Sequence, residues 1–230
     1  MNNALTAAAG FYDRALSMTK RLEPLGPLAI RLYLAPVFII AGYNKLQLSD
    51  DSLGFWESLT ANPGVVSWFG NPDWGLGLPA PELLAFLAGW TELLGGFLLL
   101  FGLATRLISL PLIFTMIIAA TTAHWHNGWF AIAPSNPSSS AAQPLAWIGI
   151  EAAEESLENS VEVGRRVRAM KSLLETHGNT DWLYAKGSIA VLNNGIEFAV
   201  TYLIMLLVLL FHGPGRWVSA DHWIRTFLAR

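Results

Sequence analysis

LLAFLAGWTELLGGFLLLFGLAT, the run Leu83–Thr105, carries one charged side chain, Glu92. At about 1.5 Å of rise per residue, it is long enough to cross a hydrocarbon core as a helix. Three other runs share this character: Leu25–Asn44 with Arg31, Leu107–Ala123 with no charge, and Ile189–Phe211 with Glu197. Together they predict an all-α membrane protein, a bundle of four transmembrane helices at about 25–46, 81–104, 106–124 and 189–211. The chain reads as one membrane domain, 1–230, with a long insertion at 133–188 between the third and fourth spans. An ionisable group inside a span is costly, so it faces protein or water and marks a candidate site.

Composition agrees. Of 230 residues, 53% are hydrophobic and 13% charged, whereas soluble domains carry roughly 25% charged residues. A net charge of −3 offers no basic face to nucleic acid. Ten Trp residues suit membrane interfaces. The absence of cysteine excludes a thiol relay, a cysteine-ligated iron–sulfur cluster and a disulfide within the chain. Residues 1–24 lack the apolar core of a secretory signal; Phe11, Leu16 and Leu22 suggest a short amphipathic helix instead.

Lys and Arg counts set an expected orientation. Arg14, Lys20 and Arg21 precede the first run, Arg106 sits in the turn between the second and third, and Arg216, Arg225 and Arg230 follow the fourth. Residues 46–79 contain no Lys or Arg. The expectation is a multi-pass protein of a bacterial inner membrane with both termini cytoplasmic and both larger loops periplasmic. The insertion carries its own basic residues, but long loops translocate largely regardless of charge.

By depth, Lys45, Glu92, His124, Asn193, Asn194 and Glu197 fall in the outer half, the two Asn in the first turns of the fourth helix. If they face inward they form one polar site, with Glu92, Glu197 and Lys45 as candidate catalytic groups and Asn44, Asn193, Asn194, Trp74 and Trp90 as candidate ligand contacts. The competing reading is a structural Lys–Glu pair between helices. Two acids and one base do not balance, so one acid is either protonated or paired with a second cation, Arg31 or His124. His124 and His126 form a weak metal candidate for copper or zinc. No pair of histidines at one membrane depth would hold a haem.

The first loop, Trp68–Pro79, is punctuated by Gly and Pro too often for a regular element. It reads as an interfacial loop anchored by Trp56, Trp68 and Trp74, or as a lid with aromatic faces for a flat ligand. In the insertion, Ser135–Pro144 reads as a flexible linker. Trp147–His177 reads as an amphipathic helix, with Ile150, Leu157, Val161, Gly164, Val167, Met170 and Leu174 recurring at three- to seven-residue steps and the charges elsewhere. Its acidic start and basic end suit a helix dipole. That helix either lies on the membrane or docks a partner through about 145–176.

Four patterns resemble the DoxX family of small bacterial membrane proteins. They are Arg31-Leu32 with Phe38, Ala41-Gly42 and Lys45-Leu46; Glu92 with Gly95-Gly96, Gly102 and Thr105-Arg106; Thr115-Met116 with Ala119, Thr122 and His124; and Glu197 with Gly213-Pro214-Gly215-Arg216, Ser219 and Asp221. The resemblance implies a four-helix fold and a redox-associated role, since some members are subunits of thiosulfate:quinone oxidoreductases. Trp68–Pro72, Gly75–Pro79 and His124–Trp129 are also similar to the HvfX branch, which accompanies maturation of copper-binding peptides. The family offers no settled catalytic residues.

Three functions follow as expectations. The first is a redox accessory, a quinone-linked oxidoreductase subunit in its enzymatic form. It would bind a quinone or similar apolar ligand between helices and serve a periplasmic or peptide-maturation partner. The second is a non-catalytic anchor or assembly factor for a peptide-modifying enzyme. The third is a small transporter, for which four helices would have to form a homo-oligomer. Surrounding lipid is common to all three.

Overall fold

A computed structural model describes residues 2–229, and the side chains of residues 10–14 and 16–229 among them. The helices in chain order are α1 (Asn2–Leu22), α2 (Leu25–Lys45), α3 (Phe55–Ser58), α4 (Pro63–Gly70), α5 (Pro81–Phe101), α6 (Thr105–Ile118), α7 (Gln143–Trp147), α8 (Glu151–His177), α9 (Thr180–Leu183), α10 (Glu197–His212) and α11 (Ala220–Leu228). A π-helical turn, Ala119–His124, continues α6, and two short strands, β1 (Ile132–Ala133) and β2 (Val191–Leu192), pair antiparallel. The chain divides into two compact units, Met1–Ala123 with Ala199–Arg230, and His124–Phe198.

Among the described residues, three stretches are long and apolar enough to span a membrane: Gly10–Lys45, Pro81–Phe101 and Thr105–Asn127. The chain is therefore a mostly helical membrane protein. The expected fourth span is shorter than the sequence suggests. Its helix begins at Glu197 rather than at Ile189 and has 16 residues, about 24 Å at the helical rise. The reason is local. Asn194 takes φ 57°, and the N–H groups of Asn193, Asn194, Gly195, Ile196 and Glu197 bond to carbonyls of residues 128–131 instead of entering a helix.

In the first unit, α2 and α5 pack backbone to backbone. A Cβ on Gly42 would fall 2.6 Å from the Gly89 carbonyl oxygen and closer still to the Leu93 nitrogen. One on Gly96 would meet Ile39 N at 2.8 Å and Ala35 O at 2.9 Å. Small residues permit such approach where water offers no drive for association. Leu34, Phe38, Leu99, Leu112, Met116, Leu206 and Leu209 fill the core between α2, α5, α6 and α10.

One end of the unit is tied by Arg31, which is fully buried. Its Nε donates to Leu99 O at 2.7 Å, Nη2 to Leu100 O at 2.9 Å and Val218 O at 2.8 Å, and Nη1 to Pro214 O at 3.0 Å and Trp217 O at 3.4 Å. These carbonyls lie at the end of α5 and in the segment between α10 and α11, so one guanidinium satisfies groups that helix ends leave open. Gly102 (φ 62°) leaves room for it, since a Cβ there would lie 2.6 Å from Cζ. Asp221 completes the tie. Its carboxylate accepts the N–H of Ala104 at 2.7 Å and of Thr105 at 3.0 Å, capping α6 from a distant part of the chain.

At the other end of α2 and α5, residues 46–80 fold into an ordered cap. Leu46 bridges Ala61, and Phe69, Ala61 and Ala85 form a small core. Trp68–Gly70 belongs to α4, so the loop is more regular than its Gly and Pro content suggests. Asn71 Oδ1 accepts the N–H of Asp73 and Trp74, and Leu76 and Leu78 donate back to Trp68 O and Phe69 O.

In the second unit, α8 buries Ala153, Ser160, Val163, Gly164 and Val167, whereas Val161 and Met170 are exposed. The buried face holds small residues because the chain approaches closely: a Cβ on Gly164 would strike Ser135 O. The stretch expected to be a flexible linker is structured, with a 3-10 turn at Pro137–Ser139 followed by α7.

Replacing Gly42 or Gly96 by Val should cost about 1–3 kcal/mol or more through overpacking, read as a lowered Tm in detergent. Gly26→Ala, with nothing within 4 Å of the added carbon, should leave Tm unchanged or raise it. Asp221→Ala should cost about 1–2 kcal/mol by uncapping α6, measured in the same assay.

Candidate functional site

Lys45 closes α2 and Glu92 lies midway along α5. Register at the glycine contacts brings them together: Lys45 Nζ is 2.5 Å from Glu92 Oε2, and Nζ also bonds Ala41 O at 3.4 Å. The lysine side chain is 23% exposed and the glutamate 4%. The lysine side chain thus keeps part of its surface exposed while the carboxylate is enclosed. The pair can hold two helices together, and it can also present a hydrogen-bond donor backed by a group able to carry a proton.

The other candidates separate into distinct surroundings. Asn44 follows Tyr43 on the exposed side of α2, and Trp74 is 60% exposed in the cap. Trp90 donates its indole N–H to Leu59 O at 3.0 Å, which fastens the cap to α5. Arg31 hydrogen-bonds carbonyl oxygens and feels the charge of Asp221, whereas the cation beside Glu92 is Lys45.

In the second unit, His124, Asn193, Asn194 and Glu197 form a backbone-binding knot. Asn193 Nδ2 donates to Asn127 O at 2.6 Å and Phe130 O at 2.8 Å. His124 Nδ1 lies 2.9 Å from Asn194 O, which also accepts from Asn127 Nδ2 at 3.2 Å. Glu197 Oε2 accepts Ala131 N–H at 2.9 Å. Asn193 and Asn194 precede the helix rather than forming its first turns. These groups satisfy peptide bonds of their own unit, work that hydropathy and depth do not reveal. No group of three or more His, Asp or Glu suited to a metal occurs among the described residues.

A groove of about 690 Å³ opens in the first unit between the cap and α5, lined by Gln47, Thr60, Pro63, Val66, Leu83 and Phe86 with Glu82 at its edge. Neither Lys45 nor Glu92 lines it. Gln47 follows Lys45 by two residues, and Phe86 precedes Glu92 by six, about 9 Å along the helix. Nothing in the alternation of Gly, Pro and Trp through the cap signalled this groove.

Residues 26–125 match the DoxX family. The matched stretch takes in α2, the cap, α5, α6 and the π turn, and so contains Arg31, Lys45 and Glu92. A Bacillus subtilis (strain 168) protein named "Putative oxidoreductase CatD" is 30% identical over 105 residues, 46% of this chain. The chain covers 63% of that relative's length, less than two thirds. No solved structure matches the chain.

Removing Lys45 while keeping Glu92 leaves an enclosed carboxyl without its cation. Lys45→Met should therefore cost about 1–3 kcal/mol, and Lys45→Met with Glu92→Leu should recover much of it. Tm values of the single and double variants in detergent give the coupling; equal values for Lys45→Met and the unaltered protein would show that the pair holds nothing.

Proposed function

We propose that the protein is a redox-associated membrane accessory that binds a quinone or similar apolar ligand in its DoxX domain, next to Lys45 and Glu92. The observation that carries this reading is the asymmetric pair, an accessible ammonium held by an enclosed carboxylate at the capped end of α2 and α5. An ammonium can donate to a quinone carbonyl oxygen, and a carboxyl can take up or release one of the protons that quinone reduction or quinol oxidation requires. The groove beside the cap supplies apolar volume for a ligand's tail. The oxidoreductase name of the Bacillus relative supports the same class of chemistry.

The electrons in this reading come from, or go to, a redox centre on a partner protein, because the chain has no cysteine. The second unit is the proposed docking element, through residues 145–176, with Trp147, Ile148 and Leu173 exposed on it. In the orientation set by the arginines, that partner is periplasmic, in a bacterial inner membrane with both termini inside. The HvfX-like motifs favour a partner in copper-peptide maturation, with copper held by the partner or peptide. An anchoring role without chemistry is the second reading, supported by the same exposed apolar residues. A homo-oligomer is compatible with each reading and is required by the transporter reading.

Protein purified from native membranes should carry co-extracted quinone and should gain thermal stability on adding a short-chain quinone. Lys45→Met and Glu92→Gln should each weaken that binding about tenfold, a loss of ~1.4 kcal/mol. Absence of quinone from the preparation, with no stabilisation by added quinone, overturns the redox reading. If partner-dependent activity then survives Glu92→Gln but is lost on deleting 145–176, the anchor reading holds.

A further inference from the structure

Helix α11 has a face that no described residue of the chain covers. At about 100° per residue, Ala220, Trp223, Ile224, Phe227 and Leu228 fall within an arc roughly 140° wide, and Asp221, His222, Arg225 and Thr226 fill the opposite side. Trp223 is 70% exposed, Phe227 78% and Leu228 77%. So much aromatic and aliphatic surface on one short helix calls for a partner.

The position of α11 says what that partner is. Its first turn is fixed to the turn between α5 and α6. Asp221 N–H donates to Gly102 O at 3.0 Å, Ser219 Oγ to the same oxygen at 3.3 Å, and the Asp221 carboxylate takes the first N–H groups of α6. The helix thus starts at the level where two membrane-spanning segments end. Other exposed apolar residues mark that level, namely Phe101, Leu107, Phe211 and Val218. An amphipathic helix held at this depth, with Trp on its apolar arc and Arg beside it, has the composition of an interfacial helix.

We propose that α11 is an interfacial anchor, its Trp223–Phe227–Leu228 face seated in the headgroup–acyl boundary of the bilayer that α5 and α6 cross. Seating it there also holds Asp221 against the start of α6 and the 214–218 carbonyls against Arg31, so lipid contact at α11 supports the internal tie. This inference stands apart from any ligand at Lys45 and Glu92.

The chain has no cysteine, so single cysteines give unambiguous labels. Trp223→Cys and Phe227→Cys on the apolar arc, and Arg225→Cys and Thr226→Cys on the polar side, would each carry a fluorophore in liposomes that contain nitroxide-labelled lipids. All four positions are exposed, so the labels leave the fold intact. The expected result is that quenching by lipids labelled near the headgroup–acyl boundary is several-fold stronger at 223 and 227 than at 225 and 226. Equal quenching at all four positions overturns the proposal. Shielding at 227 that disappears as protein is diluted into excess lipid also overturns it, because a second copy would then be the partner.

Discussion

The contact between the backbones of α2 and α5 is the constraint on which the first unit depends. In lipid, two helices gain little from hiding apolar surface from each other, because the surrounding tails are equally apolar. Close approach at Gly42, Gly89 and Gly96 replaces that missing drive with short-range packing. It also fixes the register of the two helices. With register fixed, Lys45 meets Glu92 at one end and Arg31 meets the carbonyls of Leu99 and Leu100 at the other. Arg31, Lys45 and Glu92 are thus consequences of one seam, each placed where the seam leaves a polar group to satisfy.

Arg31 and Lys45 stand 14 residues apart on one helix, about 21 Å, and solve opposite problems. Arg31 is closed off and spends its planar fork on five carbonyls drawn from two parts of the chain, which suits a rigid, multi-donor group. Lys45 has a single acidic partner and keeps part of its surface open. A residue whose donors are all committed has nothing left for a ligand. One with a free edge and a mobile stem does. This difference, more than charge or depth, separates the structural cation from the candidate functional one.

The sequence made the spans legible because hydropathy is a property of a run and needs no knowledge of neighbours. Leu83–Thr105 and Leu25–Asn44 both became helices close to their expected limits. Ile189–Phe211 did not, because Asn193-Asn194-Gly195 engages residues 128–131 across more than sixty residues of sequence, a pairing no local pattern announces. The site was legible in part for the same reason. Residue type and depth singled out Lys45 and Glu92, and the seam joins them. The same criteria singled out Asn193 and Glu197, whose side chains bond peptide groups close by, and Asn194, whose backbone joins the same turn. Depth alone does not distinguish a side chain that awaits a ligand from one that replaces water for the backbone.

The cap over α2 and α5 connects these points to chemistry. Its Trp, Gly, Asn and Pro residues look like recognition elements, yet most of them build the cap itself. Asn71 closes a turn, and a Cβ on Gly75 would collide with Trp68 O. Trp90 fastens the cap to α5. An ordered cap is costly to build at a membrane surface unless it covers something, since a short turn would join α2 to α5 more simply. What it covers is the Lys45–Glu92 end of the seam, and what it leaves open is the groove beside Phe86. An enclosed acid, a partly exposed base and an apolar groove stand near this end of the seam, and the proposed quinone-class ligand rests on that arrangement.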